Sequence, residues 1–177
     1  RARGTLTGLI TQEPIRMTAA RTIELTPPRF VDLGPLLIAG LGGRYSFDTN
    51  AGIPVQWQRF NRDFHGRIPN QKGNVYYGVS HDFDDDRFDY LCGAEVTSFA
   101  ALPGEFARIS IPAHRYAVFT HGNHISSISA THYAIMAEWA PNSGVAPPDV
   151  FNFERYDNRF DPMTGLGGVE IWLPLAR

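Results

Sequence analysis

A single cysteine, Cys92, stands among the 177 residues. That count excludes a disulfide framework and a cysteine-rich metal site, and it suits a cytoplasmic setting. Charge is scarce as well. Only 19% of residues are charged and the formal net charge is −2, so no basic footprint marks contact with nucleic acid or an anionic membrane. No apolar run reaches the ~18 residues of a spanning helix. The stretch RARGTLTGLITQEPIRM never builds the sustained apolar segment of a secretory leader. P-loop, nucleophile-elbow and strand-anchored dinucleotide signatures are missing. GLGG occurs at 40–43 and 165–168, but a strand pattern follows the second copy, leaving no helix N-terminus to hold phosphate. No cofactor signature remains.

Apolar residues make up 43% and aromatics 12%, enough for a real core in one domain or two small fused modules. Residues 22–31 and 36–47 read as strands. The glycines at 40, 42 and 43 suggest a bulge or a close approach by another group. Ile53, Trp57, Phe60 and Phe64 then line one face of a helix, with Pro54 in its first turn and Gly66 and Pro69 beyond its end. VYYGV (75–79) and DYLCGAEV (89–96) read as strands around the acidic loop HDFDDDRF. After Pro103-Gly104 the order repeats. FARISI (106–111) and RYAVFTH (115–121) suggest a hairpin. Ile128, His132, Ile135 and Trp139 line a second helix over about 126–140, with Ser126 or Ser127 as its cap. NFERYD and VEIWLP (169–174) follow as strands.

The halves, about 23–100 and 101–177, therefore share one period. The expected architecture is α+β: tandem pseudo-symmetric strand–helix–strand modules whose antiparallel sheet carries two helices on one face. A ligand groove is expected at the module junction. Residues 1–22 are expected to be a linker, a leader or a vector remnant, with Met17 an alternative start.

Glu154 is the conspicuous chemical feature. Phe151, Phe153, Tyr156 and Phe160 surround it, and Arg155 and Arg159 are the nearby opposite charges. Two readings stand: a surface glutamate paired with an arginine, or a carboxylate facing an apolar groove, where aromatic faces help it attract a cation. Strand parity puts Glu154 beside Tyr156 and allows Trp172 to converge on them. Tyr45, Tyr90 and Trp139 are further candidates for lining the groove, and Trp139 also fits plain core. His121, His124 and His132 fall on three different elements, so they do not make a metal site. The aspartates at 82 and 84–86 lack the EF-hand spacing.

The segments VYYGVSHD, FDYLCGAEV, IPAHRYAVFTH, AEWAPNSG, FERYD and VEIWLPL occur in an order that resembles the GyrI-like (gyrase-inhibitor-like) effector-binding domain over about residues 22–175. That domain also forms the C-terminal, ligand-sensing part of some AraC-type transcription regulators. The resemblance implies a small-molecule site, often for cationic or amphipathic aromatic compounds, between two related modules. It implies that Glu154 faces the ligand and that Trp172 is an aromatic of the last strand in a lining position. It further implies that DNA contacts of a regulator would lie in an upstream domain absent from these residues, with 1–22 as the intervening tract. Some relatives are hydrolases, which would make Glu154 a general base with Tyr90 or Tyr156 as acid. Others inhibit gyrase through a protein surface.

Overall fold

The structure, a computed structural model, describes residues 23–46, 50–143 and 151–176; the expectations for residues 1–22 lie outside these. Eight strands form one antiparallel sheet: β1 (Arg29–Leu33), β2 (Leu36–Ser46), β3 (Gln71–His81), β4 (Arg87–Val96), β5 (Ala107–Ile111), β6 (His114–His121), β7 (Phe151–Tyr156) and β8 (Val169–Pro174). Helix α1 spans Ile53–Asp63. Helix α2 begins as Ile128–Ala134, widens into a π turn at Ile135–Trp139 and ends with Ala140–Asn142. None of the described helices is long and apolar enough to cross a membrane.

The strand order is β1-β6-β8-β7-β3-β4-β2-β5, and its two halves mirror each other about the β7–β3 seam. The expected hairpin between 106–111 and 115–121 does not form. Instead β5 pairs with β2, while β6 lies between β1 and β8. Each link concerned is two residues long and contains a proline, Gly34-Pro35 or Pro112-Ala113. A residue before proline is held extended, so the chain runs on into the other half instead of reversing. The first strand of each half is thereby exchanged, which interlocks the two.

Register fixes the faces. Leu41, Cys92, Gly78, Glu154, Ile171 and Phe119 lie opposite one another in successive strands, so all six share one face. Both helices cover that face. Trp57 and Phe60 of α1, and Phe64 just beyond its end, pack with Ala39, Leu41, Tyr90 and Cys92. The α2 residues Ile135, Ile128 and Trp139 pack with Ala117, Phe119, Ile171 and Leu173. The helix-free face carries a third core that includes Ile38, Tyr77, Leu91, Tyr116, Phe153 and Trp172. A sheet face without helices buries such residues only by curling until its halves meet. At Gly40 a Cβ would sit 2.1 Å from the Cys92 carbonyl oxygen, so the glycine in this strand does mark a close approach.

Candidate functional site

The site is assembled at the seam, where one side chain from each helix reaches the sheet. Pairing of β7 with β3 sets Glu154 directly opposite Gly78. Gly78 has no side chain, so the Glu154 carboxylate and the phenol of Tyr90 on β4 lie over its backbone. A Cβ there would be 2.0 Å from the Tyr90 hydroxyl and 2.9 Å from Glu154 Oε2. Tyr156, two residues along β7, shares the face. Its hydroxyl donates to Glu154 Oε2 at 2.7 Å, and that of Tyr90 donates to the same oxygen at 3.1 Å.

Each helix adds one ring. From α1, Trp57 Nε1 donates to the Tyr90 oxygen at 2.9 Å, and the indole meets the Tyr156 ring edge-on at 5.0 Å. From α2, His132 Nε2 lies 2.9 Å from Glu154 Oε1. The carboxylate only accepts, so this nitrogen carries the proton. The Glu154 side chain is 12% exposed and that of His132 27%.

Burial pushes the Glu154 carboxyl up, but the His132 hydrogen bond and charge and the two phenols outweigh it. The group is held below its ordinary range and is ionised at neutral pH. Tyr90 and Tyr156 are pushed well above theirs, by burial first and the Glu154 charge second. They remain hydroxyl donors. Burial raises the Cys92 thiol, beneath α1, to about 12.

Among the described residues, no arginine or lysine reaches Glu154. Arg155 donates to Asp157 and Glu170 at 2.7 and 3.3 Å, and Arg159 donates to the same two carboxylates at 2.8 Å each. The surface arginine pair is therefore not what the fold makes of this glutamate.

Tyr90 and Tyr156 thus touch Glu154. Tyr45 stands one layer behind, edge-on to Tyr90 at 6.5 Å, with its hydroxyl on Gln56 Oε1. Trp172 does not converge on Glu154. Ile171 is the residue opposite Glu154, which puts Trp172 opposite Phe153 on the other face. There it stacks on Phe153 at 5.4 Å, donates to Glu170 and lies under Arg29. A one-residue difference in register reverses the face. Trp139 packs edge-on to Phe119 at 4.9 Å. It also borders a hollow of about 490 Å³ with Ile23, Leu25, Glu138 and Asn142. A second hollow of about 240 Å³ lies beside it, near Leu25, His121 and Thr131.

Trp57 and His132 were missing from the expected set. Both lie on apolar helix faces, which read as core. The available signal was that His132 is the ionisable residue on its stripe. The three histidines do not converge. His121 is buried between the Thr131 hydroxyl and the His124 carbonyl, and the His124 ring, rather than Ser126 or Ser127, caps the turn before α2. His81, Asp82 and Asp89 bring donor atoms within 4.8 Å of one another. Those donors are already engaged, because His81 bonds Asp82 and Arg44 pairs with Asp89 and Asp84.

The model of the GyrI-like small molecule binding domain matches residues 26–176. A transcriptional regulator of Pseudomonas aeruginosa, BrlR, is 30% identical over 120 residues, which are 67% of this chain and 44% of the regulator. The chain thus spans less than half of that relative. Among solved structures, SAV2435 bound to tetraphenylphosphonium aligns with a TM-score of 0.72 at 16% identity, covering 85% of this chain and 94% of that one. A putative transcription regulation protein of Staphylococcus aureus aligns at 0.63 and 16% identity, over 85% and 98%. EcmrR in a DNA complex aligns at 0.62 and 12%, over 85% and 57%. At these identities the structures share the fold. With the family model spanning nearly all of the described residues, the chain belongs to the GyrI-like family and is a small-molecule binding domain.

Proposed function

We propose that the domain binds cationic aromatic or amphipathic molecules between α1 and α2, with Glu154 as the charge that receives them. The carrying observation is that Glu154 is buried and ionised with no arginine or lysine on it among the described residues. A buried carboxylate is costly without a positive partner; His132 is a partner whose charge depends on a proton, and a cationic guest supplies a permanent one. Trp57 and Tyr156 offer ring faces, each worth roughly 0.5–2 kcal/mol toward a cation depending on desolvation. Apolar burial adds about 25 cal/mol per Å². The SAV2435 structure, which contains tetraphenylphosphonium, supports this choice of guest.

In a regulator such as BrlR the same site would be the sensing element, with DNA held by a domain outside these residues. Each helix contributes one ring to the site, so a guest that spreads Trp57 and His132 favours one arrangement of the halves over another.

Calorimetric titration with tetraphenylphosphonium at pH 7.5 tests the reading. Native protein should bind, and Glu154→Gln should bind about tenfold or more weakly, a loss of at least ~1.4 kcal/mol. Equal affinity in the two would overturn it.

A further inference from the structure

Resting on the cation reading above, we infer that His132 is a resident counter-cation that a guest must displace, so that binding at Glu154 releases a proton. The two carboxylate oxygens are not equivalent. Oε2 accepts from Tyr90 and Tyr156, both rooted in the sheet, and Tyr90 is locked further by Trp57. Among the described residues, Oε1 accepts from His132 alone. His132 is delivered by a helix, is more exposed than Glu154, and stands two residues before Ala134 and three before the π turn that starts at Ile135. Such turns recur where helices serve a functional site. Of the three donors, His132 is therefore the one that can leave without dismantling the sheet.

A permanent cation has charge but no N–H to share. It cannot occupy the carboxylate together with an imidazolium, because two positive charges would then crowd one negative one. The guest therefore selects the protein whose His132 is neutral or withdrawn. The imidazolium N–H bond breaks, its electron pair stays on nitrogen, and the proton passes to solvent.

Among the described residues, His121 of β6 is engaged by Thr131 and the His124 carbonyl, and the acids, thiol and phenols facing this pair do not titrate near neutrality. From β4 these are Tyr90, which is pushed well up, and Cys92, at about 12. From β7 they are Tyr156, also pushed up, and Glu154 itself, held low. From α1, Trp57 has no titratable proton. Imidazole is the side chain whose ordinary titration falls between pH 5 and 8. The sign follows. Acid favours the His132–Glu154 pair and the empty site, so affinity rises with pH. A carboxylate without its histidine, still held ionised by the two phenols and a neutral N–H donor, would give a flat profile above pH 5.5.

The experiment is calorimetric titration with tetraphenylphosphonium from pH 5.5 to 8.0, in pairs of buffers of different ionisation enthalpy so that released protons are counted. Native affinity should rise about tenfold, with up to roughly one proton released per guest. His132→Gln keeps an N–H donor without the charge. It should bind within about twofold of one affinity throughout, release no proton, and exceed the native protein at pH 5.5. If that variant does not fold, His132→Asn serves in its place. A flat native profile, or one shared by the variants, would overturn the role of His132. Should Glu154→Gln still bind more weakly in that case, the cation reading survives. Should Glu154→Gln bind like the native protein, that reading falls first.

Discussion

Gly78→Ala adds one methyl group at the centre of the seam, and two opposing effects decide its sign. Mid-strand glycine is entropically unfavourable by roughly 0.5–1 kcal/mol relative to alanine, and the Gly78 φ lies outside the left-handed region. Backbone preference alone therefore predicts a more stable variant. Against that, the new Cβ would lie 2.0 Å from the Tyr90 hydroxyl, and 2.9 Å from both Tyr90 Cζ and Glu154 Oε2. No rotation of a flexible tip relieves this, because Trp57 and Glu154 hold the hydroxyl and Tyr90 is 3% exposed. Overpacking costs about 1–3 kcal/mol, and weakening two hydrogen bonds costs about 1 kcal/mol each. The clash wins by about 3 kcal/mol, or a drop of about 6–12 °C in the melting temperature of a domain this size. Urea unfolding followed by tryptophan fluorescence reads it. Tyr90→Phe removes the obstacle at 2.0 Å, so the double variant should lose about 1 kcal/mol less than the sum of the single ones. A stabilised Gly78→Ala, or strict additivity with Tyr90→Phe, would refute the reasoning.

Three further outcomes follow from groups outside the site. Glu170 is buried and accepts from Arg29, Arg159, Arg155 and Trp172. Its arginine partners are partly exposed, so Glu170→Gln should cost a modest ~2 kcal/mol, read as a lower urea midpoint at pH 7. Asp157 is held at about 2, chiefly by the Arg159 hydrogen bond. Burial raises Glu170, but Arg159, Arg29 and Trp172 bring it below its ordinary range. Folded-state values below the ordinary ones mean the unfolded chain takes up protons first. This stability is therefore complete above about pH 5 and lost as the pH falls toward 2, and equal urea midpoints at pH 5 and pH 3 would contradict it. Cys92 is fully buried with its thiol raised to about 12, so a disulfide reagent should leave it unmodified in native protein at pH 8 and modify it in urea; prompt native modification would count against this packing.

Periodicity made the helices and most strands legible. Ile53, Trp57, Phe60 and Phe64 predict α1, and the observed helix spans Ile53–Asp63. VEIWLP (169–174) is β8 to the residue. Pairing was less legible, because alternation fixes which residues share a face of a strand but not which strand lies alongside. The exchange of β1 and β5 depends on proline-bearing links whose local pattern also fits a turn. Trp172 shows the same limit at the site, since its parity was correct but the opposing register turned it away from Glu154. Glu154 stood out because a carboxylate among rings needs a reason. His132 and Trp57 did not, because an amphipathic stripe identifies the buried side of a helix without showing what lies beneath it.

The most direct measurement is a crystal structure of the domain with tetraphenylphosphonium. The account predicts the cation between α1 and α2, in contact with Trp57 and Tyr156, near Glu154 Oε1, with His132 moved off that oxygen. A cation seated instead in the hollow beside Trp139, with the His132–Glu154 bond intact at its present 2.9 Å, would contradict it.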